Sequence, residues 1–427
     1  MGQGVLTEPF AQRDGALFCE DVPADAIARA AGTPTFVYST AAVREQYRRL
    51  DSALEGIPRR IHYSLKANAN RAILSLLREL GAGVDVVSGG ELARALRAGF
   101  TGDDIVFGGV GKTAAELREA VAAQVKLVNV ESAAELVLLD EVARAAGAVV
   151  PVGLRINPEV QVENAHHYIA TGARGHKFGI PFDAAGEVAR MAAAMANVRV
   201  TGLDMHVGSQ LATLAPYREG LARLIELARE LRASGAPLRY LDVGGGLPVA
   251  YGSADASPDL RGFGVLIREA AGELGMETIV EPGRFMVADG GILLTRVLYR
   301  KESGGRRYII VDAGMNDFLR PSHYSAYHRI SAVRPNGSVV RADVVGPVCE
   351  TGDFLALDRE VDDVQPGDLM AVHGAGAYGF VMSSSYNGRP RAAEVMVAGR
   401  SFAVVTARET YDDLMRLELE DPDWRDA

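Results

Sequence analysis

The sequence has little cysteine and no excess of positive charge, and both absences narrow its function. Its only cysteines, Cys19 and Cys349, are too few for a disulfide framework and are typical of a reducing cytosol, although a single bridge stays open. The 45 lysines and arginines face 55 aspartates and glutamates, a formal net charge of −10. This disfavours a general nucleic-acid surface, because phosphate backbones bind clustered positive charge. An anionic ligand must therefore be bound locally, by glycine-rich turns, helix N-termini or a few arginines.

Signals for export and for membrane insertion are also lacking. The opening MGQGVLTEPFAQRD shows no basic stretch followed by an apolar one, and it has no acylation pattern after Gly2. The most apolar windows, such as 133–150, are interrupted by charged residues and are unable to span a bilayer. The sequence therefore predicts a soluble, cytoplasmic protein.

A regular alternation of β-branched runs and amphipathic segments begins at residue 61, with a new run about every 22 residues. The segment 71–80, for example, places Ile73, Leu76, Leu77 and Leu80 on one helix face. Eight such units favour a closed (β/α)8 barrel of the TIM type over an open doubly wound sheet. The predicted strands are IHYSL at 61, VDVV at 84, IVF at 105, LVNV at 127, VGLRI at 152, VTGLDMHV at 200, YLDV at 240 and IVE at 279.

The pattern of predicted elements changes after the eight βα units. After Gly290, runs such as GILLTRVLY, RRYIIVDAG and SVVRADVVG are separated by turns instead of helices, which predicts an antiparallel β domain, a barrel or sandwich. We therefore expect an N-terminal segment, 1–34, that packs with the β domain, then the barrel at 35–284, then the β domain at 285–427. An insertion at 157–182 lengthens the fifth βα unit, and long barrel loops often carry function.

Polar residues cluster at the predicted strand ends, where barrels of this type hold their active sites. Each one alone has an ordinary explanation, such as a surface lysine, a core histidine, a flexible turn or a structural ion pair. Five such strand ends together favour a functional site. They are Lys66-Ala67-Asn68, Arg155-Ile156-Asn157, His206-Val207-Gly208-Ser209, Asp242-Val243-Gly244-Gly245-Gly246 and Glu281-Pro282-Gly283-Arg284.

Lys66 and the glycine run 244–246 indicate two kinds of chemistry. Partial burial at a barrel mouth would favour the neutral amine of Lys66 and so Schiff-base formation, which suits an aldolase as well as a cofactor enzyme. Consecutive glycines let backbone amides approach a phosphate, and barrel phosphate sites often use the loops after strands 7 and 8. Glu281 could stabilise a protonated ring nitrogen, and His206 could lie flat on an aromatic ring.

Two further glycine patterns are rejected as nucleotide-binding motifs. GAGAYG at 374–379 has dinucleotide-binding spacing, but it lies among antiparallel strands without a βαβ unit. GGVGKT at 108–113 ends like a phosphate-binding loop but has Val106 where the first glycine belongs, so it is interpreted as a βα turn.

Six motifs, YSLKAN, HVGSQ, DVGGG, EPGR, GPVCETGD and GAYG, stand in this order and together resemble the fold-type-III pyridoxal-phosphate decarboxylases. The resemblance implies a carboxy-lyase with pyridoxal 5'-phosphate as cofactor, a small-molecule substrate and no metal. It also implies a homodimer with shared active sites, because the CETGD segment of that family is delivered from the second subunit.

The resemblance also implies a role for each motif. Lys66 holds the cofactor as a Schiff base, His206 stacks on its ring, and Glu281 pairs with the pyridine nitrogen. Cys349 matches the proton donor. The other implied cofactor contacts are Ser209, the phosphate-binding Gly244, Gly245 and Gly246, then Pro282, Gly283 and Arg284 of EPGR, and Tyr378 of GAYG.

The substrate expectation depends on VDAGMNDFLRPSHY, which looks like the members of that family that decarboxylate meso-2,6-diaminopimelate to L-lysine, the last step of lysine biosynthesis. Arg320 and Tyr324 match the pair that binds the distal, amino-acid-like end of the substrate. Arg284, Glu350 and Tyr378 match further substrate contacts. Three alternatives stay open: a related decarboxylase of another carboxylated amine or a carrier-bound amino acid, an amino-acid racemase, and a catalytically inactive regulator.

Overall fold

The computed structural model describes residues 8–160, 175–252, 255 and 257–425. The chain forms two compact units, which we call the β unit (Met1–Ser39 and Gly291–Ala427) and the barrel unit (Thr40–Gly290). The β unit begins with β1 (Phe10–Arg13), β2 (Ala16–Cys19) and β3 (Val22–Pro23), which form a small antiparallel sheet, followed by α1 (Ala24–Ala31) and β4 (Thr35–Ser39).

The barrel unit consists of parallel strands that alternate with helices. Its helices are α2 (Thr40–Ala53), α3 (Arg71–Glu79), α4 (Gly89–Arg97), α5 (Ala114–Ala122), α6 (Ala133–Ala145), α7 (Ala185–Ala194), α8 (Ala215–Ala233), α9 (Leu260–Leu274) and α10 (Arg284–Val287). Its strands are β5 (Arg59–Ser64), β6 (Gly83–Val86), β7 (Ile105–Phe107), β8 (Leu127–Val130), β9 (Val150–Asn157), β10 (Ile180–Pro181), β11 (Val198–Asp204), β12 (Tyr240–Asp242) and β13 (Glu277–Val280).

Within the described residues, eight of these strands close into a ring. The order is β5, β6, β7, β8, β9, β11, β12 and β13, and β13 pairs in parallel with β5 to complete it. The short β10 adds to β9 outside the ring. The (β/α)8 barrel expected from the strand spacing is therefore confirmed.

Local signals explain where the barrel helices begin. The side-chain oxygens of Ser88, Thr113 and Ser132 accept hydrogen bonds from backbone amides three residues later and cap α4, α5 and α6. In α3, the apolar residues predicted to share one face include Ile73 and Leu77, and both are fully buried. Short buried strands and capped amphipathic helices thus bring the carboxyl ends of the strands to one mouth.

The rest of the β unit contains β14 (Gly291–Ser303), β15 (Arg306–Val311), α11 (Arg320–Tyr324), β16 (Ile330–Ala332), β17 (Val339–Val345), β18 (Phe354–Asp362), β19 (Leu369–His373), β20 (Ala393–Ala398), β21 (Ser401–Thr406) and α12 (Tyr411–Met415). Most pairings are antiparallel, as expected. In the described part of this unit, β15 pairs in parallel with β17 and β4 with β20, and long connections separate the strands of each pair along the chain.

Strand β4 lies at the centre of this sheet, between β14 and β20, and is buried at all five positions. The sequence boundaries given above predict residues 35–39 in the barrel, whereas the structure places them in the β unit. Phe10, Leu17, Val37 and Ile292 share one hydrophobic core. Cys19 is buried in the same core, and both cysteines are free, so the single bridge left open above is not formed.

No helix within the described ranges is long and apolar enough to cross a membrane.

Candidate active site

Lys66 lies at the carboxyl end of β5, in one turn of 3-10 helix formed by Leu65–Ala67. Its Nζ lies 3.4 Å from Oδ2 of Asp85 on β6. The side chain of Lys66 is 41% exposed, whereas that of Asp85 is 3% exposed. A buried carboxylate therefore positions the amine at the barrel mouth and leaves it accessible.

The glycine run 244–246 follows β12 and packs too closely against the barrel to carry side chains. A Cβ at Gly245 would lie 2.3 Å from the carbonyl oxygen of Glu281, and one at Gly246 would lie 2.4 Å from that of Gly208. Gly244 and Gly246 also adopt φ values of 66° and 110°, which favour glycine. Backbone of this kind can approach a ligand closely, because no side chain intervenes.

His206 follows β11 and contacts the glycine run. The amide of Gly245 donates a hydrogen bond of 3.3 Å to Nδ1 of His206, so the neutral ring carries its proton on Nε2. Burial lowers the pKa of His206 well below its usual value, and the charges of Lys66 and Arg155 lower it further. A neutral, flat ring is thus held beside the glycine run.

Buried carboxylates surround the centre of the mouth. Asp204, Asp242 and Glu281 each place an oxygen within 4.8 Å of the others. Burial, and then repulsion among these carboxylates, raises the pKa of Asp204 and of Glu281 well above the usual range. Burial raises the pKa of Asp242 to about 7. This cluster therefore favours a bound proton or a nearby cation, as a protonated ring nitrogen would provide.

Arg284, at the start of α10, joins two loops at the rim of the barrel. Its Nη1 donates to the hydroxyl of Tyr251 at 2.9 Å, and its Nη2 lies 3.5 Å from Oγ of Ser209. Arg284 is 7% exposed. A buried guanidinium is thereby fixed next to Ser209.

The ends of β5 and β13 also meet, through the EPGR motif. The amide of Ser64 donates to the carbonyl of Pro282 at 3.2 Å, and a Cβ at Gly283 would lie 3.1 Å from Cβ of Ala67. Within the barrel unit, the structure therefore brings together the expected cofactor-binding residues of four of the five strand ends: Lys66, His206, Ser209, Gly244, Gly245, Gly246, Glu281, Pro282, Gly283 and Arg284.

Arg320 and Tyr324 lie together in α11 of the β unit. Arg320 is 6% exposed, and its guanidinium carbon lies 5.7 Å from the ring centroid of Tyr324. Its Nε donates to Nε2 of His328 at 3.2 Å. Because Nε2 accepts this bond, Nδ1 of His328 carries the ring proton and donates to the carbonyl of His373 at 2.9 Å. A buried histidine thus orients the arginine.

The other candidates of the β unit lie in turns. Cys349 is exposed, and its amide donates to Oδ1 of Asn387 at 2.7 Å. The hydroxyl of Tyr386 donates to Glu350, and this bond raises the pKa of Tyr386. Tyr378 follows β19 with a φ of 56°, in the left-handed region that bulky residues seldom adopt.

Sequence reasoning missed Asp85, Tyr251 and His328. Asp85 had a visible signal, since it is the one carboxylate in the buried run VDVV. Tyr251 and His328 had none, because their partners are distant in sequence. Residues 161–174, which contain the NAHHY part of the predicted insertion, lie outside the described residues.

The GGVGKT pattern fits its interpretation as a βα turn. The side chain of Lys112 is fully buried. Its Nζ donates to the carbonyl oxygens of Gly109 and Asn129 and to Oε1 of Glu135, at 2.8, 2.7 and 2.6 Å. The amine is thus bound within the protein instead of facing a phosphate.

Comparison with known proteins identifies the family. Residues 40–288 match the family described as pyridoxal-dependent decarboxylase, pyridoxal binding domain. The diaminopimelate decarboxylase of Pseudomonas fluorescens is 47% identical over 410 residues, which cover 95% of this chain and 98% of that protein. The diaminopimelate decarboxylase of Aquifex aeolicus is 43% identical over 409 residues, which cover 96% and 97%.

The comparison with solved structures indicates the same family as these relatives. The diaminopimelate decarboxylase of Helicobacter pylori, crystallised with L-lysine, is 39% identical with a TM-score of 0.89, over 92% of this chain and 99% of that one. The motifs, the closed barrel and these whole-length similarities agree, and the chain therefore belongs to the pyridoxal-dependent decarboxylase family, in its diaminopimelate decarboxylase branch.

Proposed function

We propose that this chain catalyses the pyridoxal-phosphate-dependent decarboxylation of meso-2,6-diaminopimelate to L-lysine and carbon dioxide, as a cytoplasmic homodimer. The observation that carries the proposal is the 47% identity to a diaminopimelate decarboxylase over almost the full length of both chains. The family match supplies the cofactor and the type of reaction.

The geometry of the barrel mouth fits the cofactor. The glycine run lies where added Cβ atoms would collide with backbone, so its amides can approach a phosphate. Ser209 and the buried Arg284 lie together at the same rim and can bind phosphate oxygens. Glu281, whose pKa is raised by burial, suits a protonated ring nitrogen. Lys66 would supply the amine for the covalent bond, and the neutral ring of His206 would stack on the cofactor ring.

When bound, pyridoxal phosphate accepts the electron pair that remains after carbon dioxide leaves. The protein's residues orient the substrate and move protons. Glu281 keeps the ring nitrogen protonated, which makes this electron acceptance favourable. Cys349 of the partner subunit would donate a proton to the carbon that lost its carboxylate, and the amine of Lys66 would then release the product.

In this proposal, Arg320 and Arg284, with the residues beside them, select the substrate. Meso-diaminopimelate carries a second carboxylate at its distal end, and a fixed guanidinium binds a carboxylate through two parallel hydrogen bonds. Arg320, held by His328 and beside Tyr324, fills this role. Arg284, Glu350 and Tyr378 provide the remaining contacts.

The substrate is tested by measuring carbon dioxide release from meso-diaminopimelate, lysine, ornithine and arginine, each offered to the purified protein with pyridoxal phosphate. We expect release from meso-diaminopimelate alone. Release from ornithine but not from diaminopimelate would contradict the proposed substrate, but it would not contradict the proposed cofactor.

The role of Lys66 is tested with Lys66→Ala, which should abolish turnover. Borohydride reduction should trap the cofactor covalently on the wild-type chain but not on this variant. Lys126→Ala is the matched control, because Lys126 lies at the opposite end of the barrel, before β8, and should leave both results unchanged. Substantial turnover by Lys66→Ala would refute the assignment.

The shared site is tested by mixing two inactive variants, Lys66→Ala and Cys349→Ala, under conditions that allow subunits to exchange. If each site takes Lys66 from one subunit and Cys349 from the other, hybrid dimers regain one intact site. Random exchange should then restore about a quarter of wild-type activity. No recovery, with hybrids verified by native mass spectrometry, would mean that both residues act within one subunit.

A further inference from the structure

The three carbonyl groups of the glycine run are bound by three different parts of the barrel unit. The oxygen of Gly244 accepts from the amide of Glu281 at 2.8 Å, and that of Gly246 accepts from the amide of Leu211 at 3.0 Å. The oxygen of Gly245 accepts from the hydroxyl of Tyr217 at 2.7 Å. The last bond comes from a side chain, so one substitution can remove it without altering the backbone.

The amides of the run are used differently. Gly244 donates to Oδ1 of Asp242 at 3.0 Å, and Gly245 donates to Nδ1 of His206. Across the described part of the chain, no protein acceptor is recorded for the amide of Gly246. This amide is therefore available to a ligand. It shares one planar peptide group with the carbonyl of Gly245, and the two point in opposite directions.

Tyr217 is rigidly held. It lies in the first turn of α8, is 1% exposed, and packs edge to face against Phe263 of α9, with ring centroids 5.1 Å apart. Burial raises the pKa of Tyr217, so its hydroxyl keeps the proton that it donates. A Cβ at Gly246 would lie 2.9 Å from this hydroxyl, which places the tyrosine directly against the peptide group.

We propose that Tyr217 is a positioning residue for the cofactor phosphate: by binding the carbonyl of Gly245, it turns the amide of Gly246 toward the phosphate. The proposal rests on the proposed function, since it assumes that pyridoxal phosphate is the ligand. Without the hydroxyl, the peptide group loses the bond that sets its orientation, and the phosphate loses an aligned donor.

The test compares two cofactors on the apoprotein of Tyr217→Phe. Pyridoxal phosphate and pyridoxal differ only in the phosphate, and both can be titrated by absorbance and fluorescence. We expect the dissociation constant of pyridoxal phosphate to rise about tenfold, as for one well-placed hydrogen bond. Pyridoxal should bind as it does to wild type. The 31P resonance of the bound phosphate should also shift in the variant.

Tyr240→Phe is the matched control. It removes the same atom from the first residue of β12, where the ring lies 5.2 Å from Nζ of Lys126, and both cofactors should bind it as they bind wild type. If Tyr217→Phe weakened the binding of pyridoxal phosphate and of pyridoxal equally, the hydroxyl would only stabilise the barrel, and the proposal would be wrong. Unchanged affinity for pyridoxal phosphate would also overturn the proposal. Failure of the wild-type protein to bind pyridoxal phosphate would instead refute the proposed function.

Discussion

Gly245→Ala should damage the protein far more than glycine-to-alanine changes usually do. The added Cβ would lie 2.3 Å from the backbone oxygen of Glu281, about 1 Å closer than ordinary contact allows. Gly245 does not have positive φ, so the effect is purely steric. The obstacle is the backbone directly after β13, which is unable to move aside as a flexible side chain would.

Overpacking of this kind costs about 1 to 3 kcal/mol, and we expect a loss near 3 kcal/mol because the Cβ is fixed to the main chain and meets a backbone oxygen. Any displacement of the glycine run should also raise the dissociation constant of pyridoxal phosphate by about tenfold or more. Gly272→Ala is the contrasting control. Gly272 is exposed in α9 with open space around it, so alanine there should stabilise the helix by about 0.5 to 1 kcal/mol.

The assays are urea unfolding of both apoproteins and titration with pyridoxal phosphate. If Gly245→Ala were as stable as Gly272→Ala and bound the cofactor as wild type does, the close packing of the strand ends, and with it the proposed phosphate site, would be wrong.

Three further changes test other parts of the structure. Because burial raises the pKa of Asp242 from 3.8 to about 7, its contribution to apoprotein stability is complete below pH 4 and lost as pH rises through 7. Urea midpoints should fall over that range, and a flat profile would contradict the burial. His328→Phe removes the acceptor that orients Arg320, so the KM for meso-diaminopimelate should rise about tenfold while the affinity for pyridoxal phosphate stays unchanged. Cys19 is buried in the core of the β unit, so an aromatic disulfide reagent should modify fewer thiols per native chain than after denaturation, when both react.

The barrel could be predicted from sequence because each βα unit carries its own signals. The predicted run IHYSL at 61 matches β5 up to Ser64, and Ser132 was expected to cap a helix and does so. The position of β4 could not be predicted, since a buried β-branched run before a helix has the same pattern in a barrel as in a β sheet. Its partners, β14 and β20, are more than 250 residues away in the sequence.

The grouping of the barrel residues followed from topology. Parallel strands end at one mouth, so Lys66 and Glu281 meet although 215 positions separate them. Their supporting residues follow no such rule. Tyr217 lies on a helix and Tyr251 in a loop, and each acts through a single contact that only the folded chain creates. The roles expected for Cys349 and Arg320 came from family resemblance, since no periodic pattern marks a turn residue as functional.

The charges of the barrel mouth explain why an acidic protein can hold an anionic cofactor. Its buried acids, Asp204, Asp242 and Glu281, gain from a cationic ring nitrogen, whereas a phosphate near them would be repelled. The phosphate is therefore expected at the rim, near the amide of Gly246 and the guanidinium that Arg284 holds beside Ser209. Backbone amides bind a phosphate without adding net charge to the mouth. The ring nitrogen and the phosphate of pyridoxal phosphate thus require opposite electrostatic environments, and the glycine run lies between them.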